Sequence, residues 1–135
     1  MSAGDIVKES LLLVEEFTVK ANEDIEKGEI VYNDGNGILA APNTAKGPFF
    51  VALEDHDYSE ETSHEIRCAV YGIVEVQKAT GAAIKKGQFV EISSTDGEVT
   101  VFDYSTPGNW YEVVGVAMED AAANDTTVKI LIGSR

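Results

Sequence analysis

"DIEKGEIVYNDG" (residues 24–35) and "AIKKGQFVEISSTDG" (83–97) are one phrase written twice. Each holds an isoleucine, a Lys-Gly turn, a short apolar run and then Asp-Gly, with Gly28 and Gly87 lying 59 positions apart. Two further blocks repeat in the same order, "FVALED" (50–55) as "GVAMED" (115–120) and "EIRCAV" (65–70) as "TVKILI" (127–132). Their spacing drifts by only a few residues, as loop insertions would cause. Two copies are too few for a solenoid. They can instead close on each other and hide their sheet edges. The repeat therefore predicts an all-β fold, a small barrel or β-sandwich built from two internally repeated halves. The halves run over about 21–76 and 79–135, within a single β domain at 17–135 preceded by an N-terminal arm, 1–16.

Outside these blocks the pattern is the same: short β-branched runs separated by turn residues. Strands are expected near 12–20, 29–33, 37–40, 49–54, 65–77, 88–92, 98–102, 111–118 and 126–132. "DGNG" (34–37) and "TDGE" (95–98) carry the Asp-Gly chemistry of tight hairpins. No window shows a sustained 3.6-residue apolar stripe; the best helical turn is Ala121–Ala123, which Asn124 and Asp125 end at once.

With 135 residues, one domain is expected, and 44% apolar content argues against wholesale disorder. The formal charge is −14, a field that repels phosphate backbones and anionic lipid, so neither nucleic acid nor membrane is an expected partner. The apolar runs are too short to span a bilayer, and the N-terminus lacks the basic start of a secretory signal. The single cysteine, Cys68, cannot form an internal disulfide and sits in the apolar run "IRCAV", where a thiol usually acts as a small core hydrophobe.

Several stretches invite a chemical reading. "GNGILA" (35–40) has the spacing of a dinucleotide fingerprint, but Pro42, Gly47 and Pro48 leave no room for the helix that would receive a pyrophosphate. As a calcium loop it fails at both ends, with Tyr32 and Asn43 where carboxylates are needed. "EDHDYSEETSHE" (54–65) gathers carboxylates with both histidines, yet His56 and His64 are eight apart in a polar segment, so a mobile, solvated loop is the better reading. Asp55 and Asp120 recur at equivalent positions, as an inherited acidic strand end also would. No Ser-His-Asp order, CxxC, P-loop or HExxH motif is present. The chain is expected to be no enzyme, with no catalytic residue, no metal and no cofactor.

"GIVEVQKATGAAIKKGQFVEIS" (72–93) resembles the small phage capsid decoration proteins of the family DUF2190. Members carry a "GV-F-E-L-P-K" strand, "A-S-G-x-A-I-x-x-G", a "D-x-x-G-x-V-T" turn, "G-V-A-L-E-A-A-A" and a closing "V-x-V-x-L". The matches here are Gly72, Val74, Glu75, Lys78, Thr80, Gly81, Ala83, Ile84, Gly87, Asp96, Gly97, Val99 and Thr100, completed by "GVAMEDAAANDTTVKILI" (115–132). The likeness covers the C-terminal half well and the first half loosely. It departs at Gln77, where the family tends to have Pro, and in the acidic loop 54–65.

The resemblance implies a cement protein made in the host cytoplasm and bound to the outer surface of the viral head. There it would stabilise contacts between major capsid subunits, commonly as a homotrimer. The alternative from another class is a metal-dependent hydrolase or a carbohydrate-binding accessory domain using loop 54–65. Candidate contacts to the capsid or a neighbouring protomer are Ile6, Leu11, Leu12, Leu13, Val14, Trp110 and Tyr111. Burying Leu11 to Val14 would be worth about 1.5–3 kcal/mol per side chain. Residues 11–18 could therefore form an extra strand on the same domain, or the arm could reach a neighbour. On the second account Met1 to Ser10 is flexible in the free protein. Truncation at Phe17 then weakens particle binding more than it lowers the melting temperature.

Overall fold

A computed structural model describes residues 12–105 and 110–133. Among them the repeated blocks form β1 (Leu13–Thr18), β2 (Ile30–Asn33), β3 (Ile38–Ala40), β4 (Phe50–Ala52), β5 (Glu65–Gln77), β6 (Phe89–Ile92), β7 (Val99–Val101), β8 (Val113–Ala117) and β9 (Thr127–Ile132). Each falls within a segment expected to be a strand. Trp110–Glu112 differs at its edge, forming a single 3-10 turn before β8, and the turn around Ala123 does not become a helix. The architecture is all-β, a single curled sheet forming a half-barrel.

The sheet order is β3-β2-β4-β5-β9-β8-β6-β7, with β1 paired to β5 off this path. Read from its two ends the order is the same, β3-β2-β4-β5 against β7-β6-β8-β9, so the sequence repeat is also a topological one. The long strand β5 joins the halves. Its first part pairs with β4 and β1, and its second part, Gly72–Gln77, pairs with β9.

The pairing extends the repeat beyond its sequence limits. Glu16, Phe17 and Thr18 face Arg67, Ile66 and Glu65; one repeat later Glu75, Val76 and Gln77 face Lys129, Val128 and Thr127. β1 is therefore the first strand of the first unit, as Gly72–Gln77 is of the second, and the copies begin near Leu13 and Gly72 instead of Ala21 and Ala79. The boundary drawn between 16 and 17 falls inside this paired strand, so a chain truncated at Phe17 would lose most of it. The expectation for Met1 to Ser10 lies outside the described residues.

Each unit closes over equivalent core positions. Val19, Ile25, Val31, Ile38, Ala52, Ile66 and Cys68 are all buried in the first unit. Their counterparts, Lys78, Ile84, Val90, Val99, Ala117, Val128 and Ile130, are all buried in the second. The thiol of Cys68 occupies the place of an isoleucine, and burial pushes its pKa up to about 12, which keeps it a core group and not a nucleophile.

The recurring "ED" is explained by turns. Asp55 accepts the Lys27 N–H at 2.7 Å, and Asp120 accepts the Lys86 N–H at 2.8 Å. Glu54 and Glu119 accept the N–H groups of Arg67 and Lys129 at 2.9 and 3.0 Å. The Arg67 N–H holds the Glu54 carboxyl below its ordinary range. Asp55 and Asp120 thus cap equivalent Lys-Gly turns, and Glu54 and Glu119 tie equivalent strands, in separate units, which accounts for the recurrence.

Glu29 and Gln88 do the same work in the Lys-Gly turns, accepting the N–H groups of Glu26 and Lys85 at 2.7 and 2.8 Å. Glu29, however, is pushed up in pKa, first by burial and then by the charges of Glu26, Glu98 and Asp96. A carboxyl raised on folding keeps its stability contribution below its unfolded pKa and loses it as pH rises through the folded value. Gln88 shows that an amide can serve the cap. Glu29→Gln is therefore expected to raise the melting temperature at pH 7, with the gain disappearing as the pH falls below Glu29's unfolded pKa. Paired thermal melts across pH 3.5–7 check this.

The acidic loop is more anchored than a solvated loop would be. His56 is 3% exposed and pairs with Ile25 through both backbone hydrogen bonds, 2.9 and 2.8 Å. Tyr58 N–H donates to Asp24, and the Tyr58 ring packs against the first unit's core. Residues 59–63 are exposed, so the loop is solvated at its tip and fixed at its base.

Candidate functional site

Three aromatic side chains meet where the second unit's loop returns to the sheet. The Trp110 ring stacks on Phe102 at 5.5 Å and stands edge-on to Phe89 at 5.6 Å. The Trp110–Glu112 turn is tied to the first unit, because the Gly47 N–H donates to Tyr111 O at 3.1 Å. Lys46 Nζ lies 5.0 Å from the Tyr111 ring centroid. Between them runs a cleft of about 300 Å³ lined by Gly47, Pro48, Phe49, Trp110, Tyr111, Val113, Val114 and Gly133. Trp110 and Tyr111 are 47% and 48% exposed although apolar groups dominate their surroundings. Packing on Phe102 and Phe89 fixes the orientation of Trp110 while about half of it stays exposed.

The apolar surface continues past the cleft. The Tyr71 ring lies 3.1 Å from where a β-carbon on Gly133 would sit, and the sheet places Tyr71 beside Leu13. Leu12, Leu13 and Tyr71 are 38%, 53% and 43% exposed, while Val14 is half-buried. Of the described candidates, Leu13 stands opposite Tyr71 in the sheet and Val14 opposite Ala69, while Trp110 and Tyr111 line the cleft with Gly133. Ile6 and Leu11 lie outside the described residues. Tyr71 and the Pro48–Phe49 wall were not among the candidates. Tyr71 sits inside a long strand run, and no local signal tells that its side chain faces out.

The alternative site is differently built. His56 Nε2 and His64 Nδ1 lie 3.0 Å apart, so each is the other's hydrogen-bond partner. The His64 ring also stacks on Tyr58 at 3.7 Å. The facing nitrogens serve the loop's own structure. No group of three or more His, Cys, Asp or Glu among the described residues is placed to hold a metal ion, and no described helix is long and apolar enough to cross a membrane.

Residues 10–132 match the sequence model of the phage cement protein family. The chain belongs to that family. In fold it is similar to the crystal structure of the head fiber gp8.5 N base of bacteriophage phi29, with a TM-score of 0.55 and 22% identity. That match covers 89% of this chain and 94% of the other. No curated protein sequence matches the chain. As a phage cement protein it is a structural protein of the virion, located at the capsid surface. Leu12, Leu13, Tyr71, Trp110 and Tyr111 are exposed apolar side chains on a strongly acidic molecule.

Proposed function

We propose that this cement protein bridges neighbouring major capsid subunits on the outer head surface, acting non-catalytically and as a homotrimer. The observation that carries the reading is the aromatic cleft, whose exposed Trp110 and Tyr111 are held rigid by Phe102, Phe89 and Gly47. Rigid aromatic anchors lose little entropy on docking and are favoured binding hot spots. Self-association adds to this, because several copies of a modest contact act together once linked. The acidic remainder of the surface keeps decorated particles apart.

The test is co-sedimentation with undecorated heads. Trp110→Ala combined with Tyr111→Ala is expected to weaken head binding by about 30-fold or more, with the circular dichroism spectrum unchanged. Head binding at full strength by this folded variant would remove the cleft from the contact. Deletion of residues 1–11, which leaves β1 whole, tests the arm separately and replaces a truncation at Phe17.

A further inference from the structure

The contact between the two units is one-sided, and its unused halves match each other. In the first unit the Lys-Gly turn docks on the first strand of the second: Gly28 O accepts the Gln77 N–H at 2.9 Å. The Gln77 amide nitrogen reaches Glu26 and Lys27 O at 3.3 and 3.0 Å. The equivalent groups for a return contact are the Gly87 turn and Thr18 on β1, and no backbone bond joins them within the chain. Gly28 has Gln77 beside it, whereas among the described residues nothing beyond its own chain neighbours lies within 4 Å of the place for a β-carbon on Gly87.

Exposure follows the same division. Ile30, Val51 and Ala69, which face the second unit, are 0% exposed; their counterparts Phe89, Val116 and Leu131 are only half-buried. Gly72, Val74, Val76 and Gln77 are each more covered than their β1 counterparts Leu13, Glu15, Phe17 and Thr18. The charges have also diverged. The free turn carries Lys85 and Lys86 where the first unit has Glu26 and Lys27, and the free strand carries Glu15 and Glu16. Two lysines on an open turn and two glutamates on an open strand edge are complementary within a chain of charge −14.

We infer that the Lys85–Gln88 turn of one copy docks on the open edge of β1 of a second copy, repeating between chains the contact that joins the two units within one chain. Thr18 N–H then donates to Gly87 O of the neighbour, with Lys85 beside Glu16. The contact is heterologous, so it closes only as a ring, and it covers a strand edge that would otherwise be open. At Phe89 the units differ: its N–H donates to Tyr104 Oη at 3.1 Å, while Ile30 N–H donates to Gly97 O at 2.8 Å. The exposed Tyr104 hydroxyl is the group that gives way to the neighbour. This inference rests on the reading of the protein as self-associating, and it names the surfaces.

The test is a cross-link between differently substituted chains. Thr18→Cys and Lys85→Cys proteins occupy the places of Gln77 and Glu26, whose side chains touch. They are mixed in equal amounts, treated both free and on undecorated heads with a short bifunctional thiol cross-linker that replaces the reach of the two long side chains, and resolved by denaturing electrophoresis. Cys68 is buried and does not compete. The expected result is a cross-linked heterodimer, at least about tenfold more abundant than dimers from either protein alone, since the contact is heterologous. Lys85→Glu with Lys86→Glu is expected to weaken self-association by about tenfold or more, with Glu15→Lys and Glu16→Lys in the partner chain restoring it. A wild-type trimer by ultracentrifugation whose substituted forms do not cross-link overturns this interface and leaves self-association standing. A chain that is monomeric and does not cross-link in either setting overturns both.

Discussion

Replacing Gly37 by alanine is expected to lower stability by at least about 3 kcal/mol, a fall of about 10 °C in melting temperature. Gly37 closes the β2–β3 hairpin at φ +130°, a conformation that residues with a side chain rarely adopt. The steric problem is larger. A β-carbon there would lie 2.6 Å from Lys20 N and 2.7 Å from Lys20 Cα. Backbone cannot swing away as a side chain can, and Lys20 N–H already donates to Ile38 O at 2.9 Å. Moving Lys20 would open the hairpin's attachment to the rest of the first unit. Gly35→Ala is the control: its φ is also positive, +106°, but nothing lies within 4 Å of its β-carbon position. It should cost only the conformational part, about 1–2 kcal/mol. Equal losses in the two variants, measured by denaturant unfolding, would show that the close approach to Lys20 does not matter.

Lys78→Ala is expected to be similarly damaging, about 3 kcal/mol or more. Lys78 is 2% exposed, and its ammonium donates to the carbonyls of Ala79, Ala123 and Asp125 at 2.9, 3.2 and 3.3 Å. A buried lysine is tolerable only when its donors are satisfied. Here three donors meet three backbone acceptors, so the charge holds shut the turn between β8 and β9. Alanine leaves those carbonyls without their partner and a void where the stem lay. Lys78→Met keeps the stem and removes the donors, so it separates the two causes; a loss of about 2 kcal/mol is expected from it. The first unit has Val19 at this position and closes its longer loop with the His56–His64 pair and Tyr58 instead. If Lys78→Met is as stable as the wild type, the carbonyl ring is not what holds the turn.

Much of this was legible in the chain itself, and the reason is that strands write a local code. Alternation in "EIRCAV" and "TVKILI" places Ile66 and Val128, then Cys68 and Ile130, on the buried face. Turn chemistry is just as local: Asn33 Oδ1 accepts the Gly35 and Gly37 N–H groups at 2.7 and 3.3 Å within the hairpin that "NDGNG" spells. Lys78 stood among the matched family positions, but a lysine between a strand and a turn reads as a solvated charge. Only the three carbonyls, two of them some 45 residues on, make it a core residue. Tyr71 shows the opposite case: it reads as one more apolar residue in an apolar run, and its exposure depends on what lies across the sheet.

By itself the sequence determined the strands, their hairpins and the existence of two related units, because period-2 patterning and Asp-Gly turns act over a few residues. Tertiary structure alone decided that β1 opens the first unit. Leu13–Thr18 and Gly72–Gln77 share little beyond Glu16/Glu75 and the apolar pairs Val14/Ile73 and Phe17/Val76; what makes them equivalent is their matching register on β5 and β9. It alone decided, too, that one of these strands is covered by a turn from the other unit while no such turn covers its counterpart among the described residues. The covering groups lie some 50 residues away in the chain, and pairing at that distance is set by how the whole sheet curls, which no local pattern encodes.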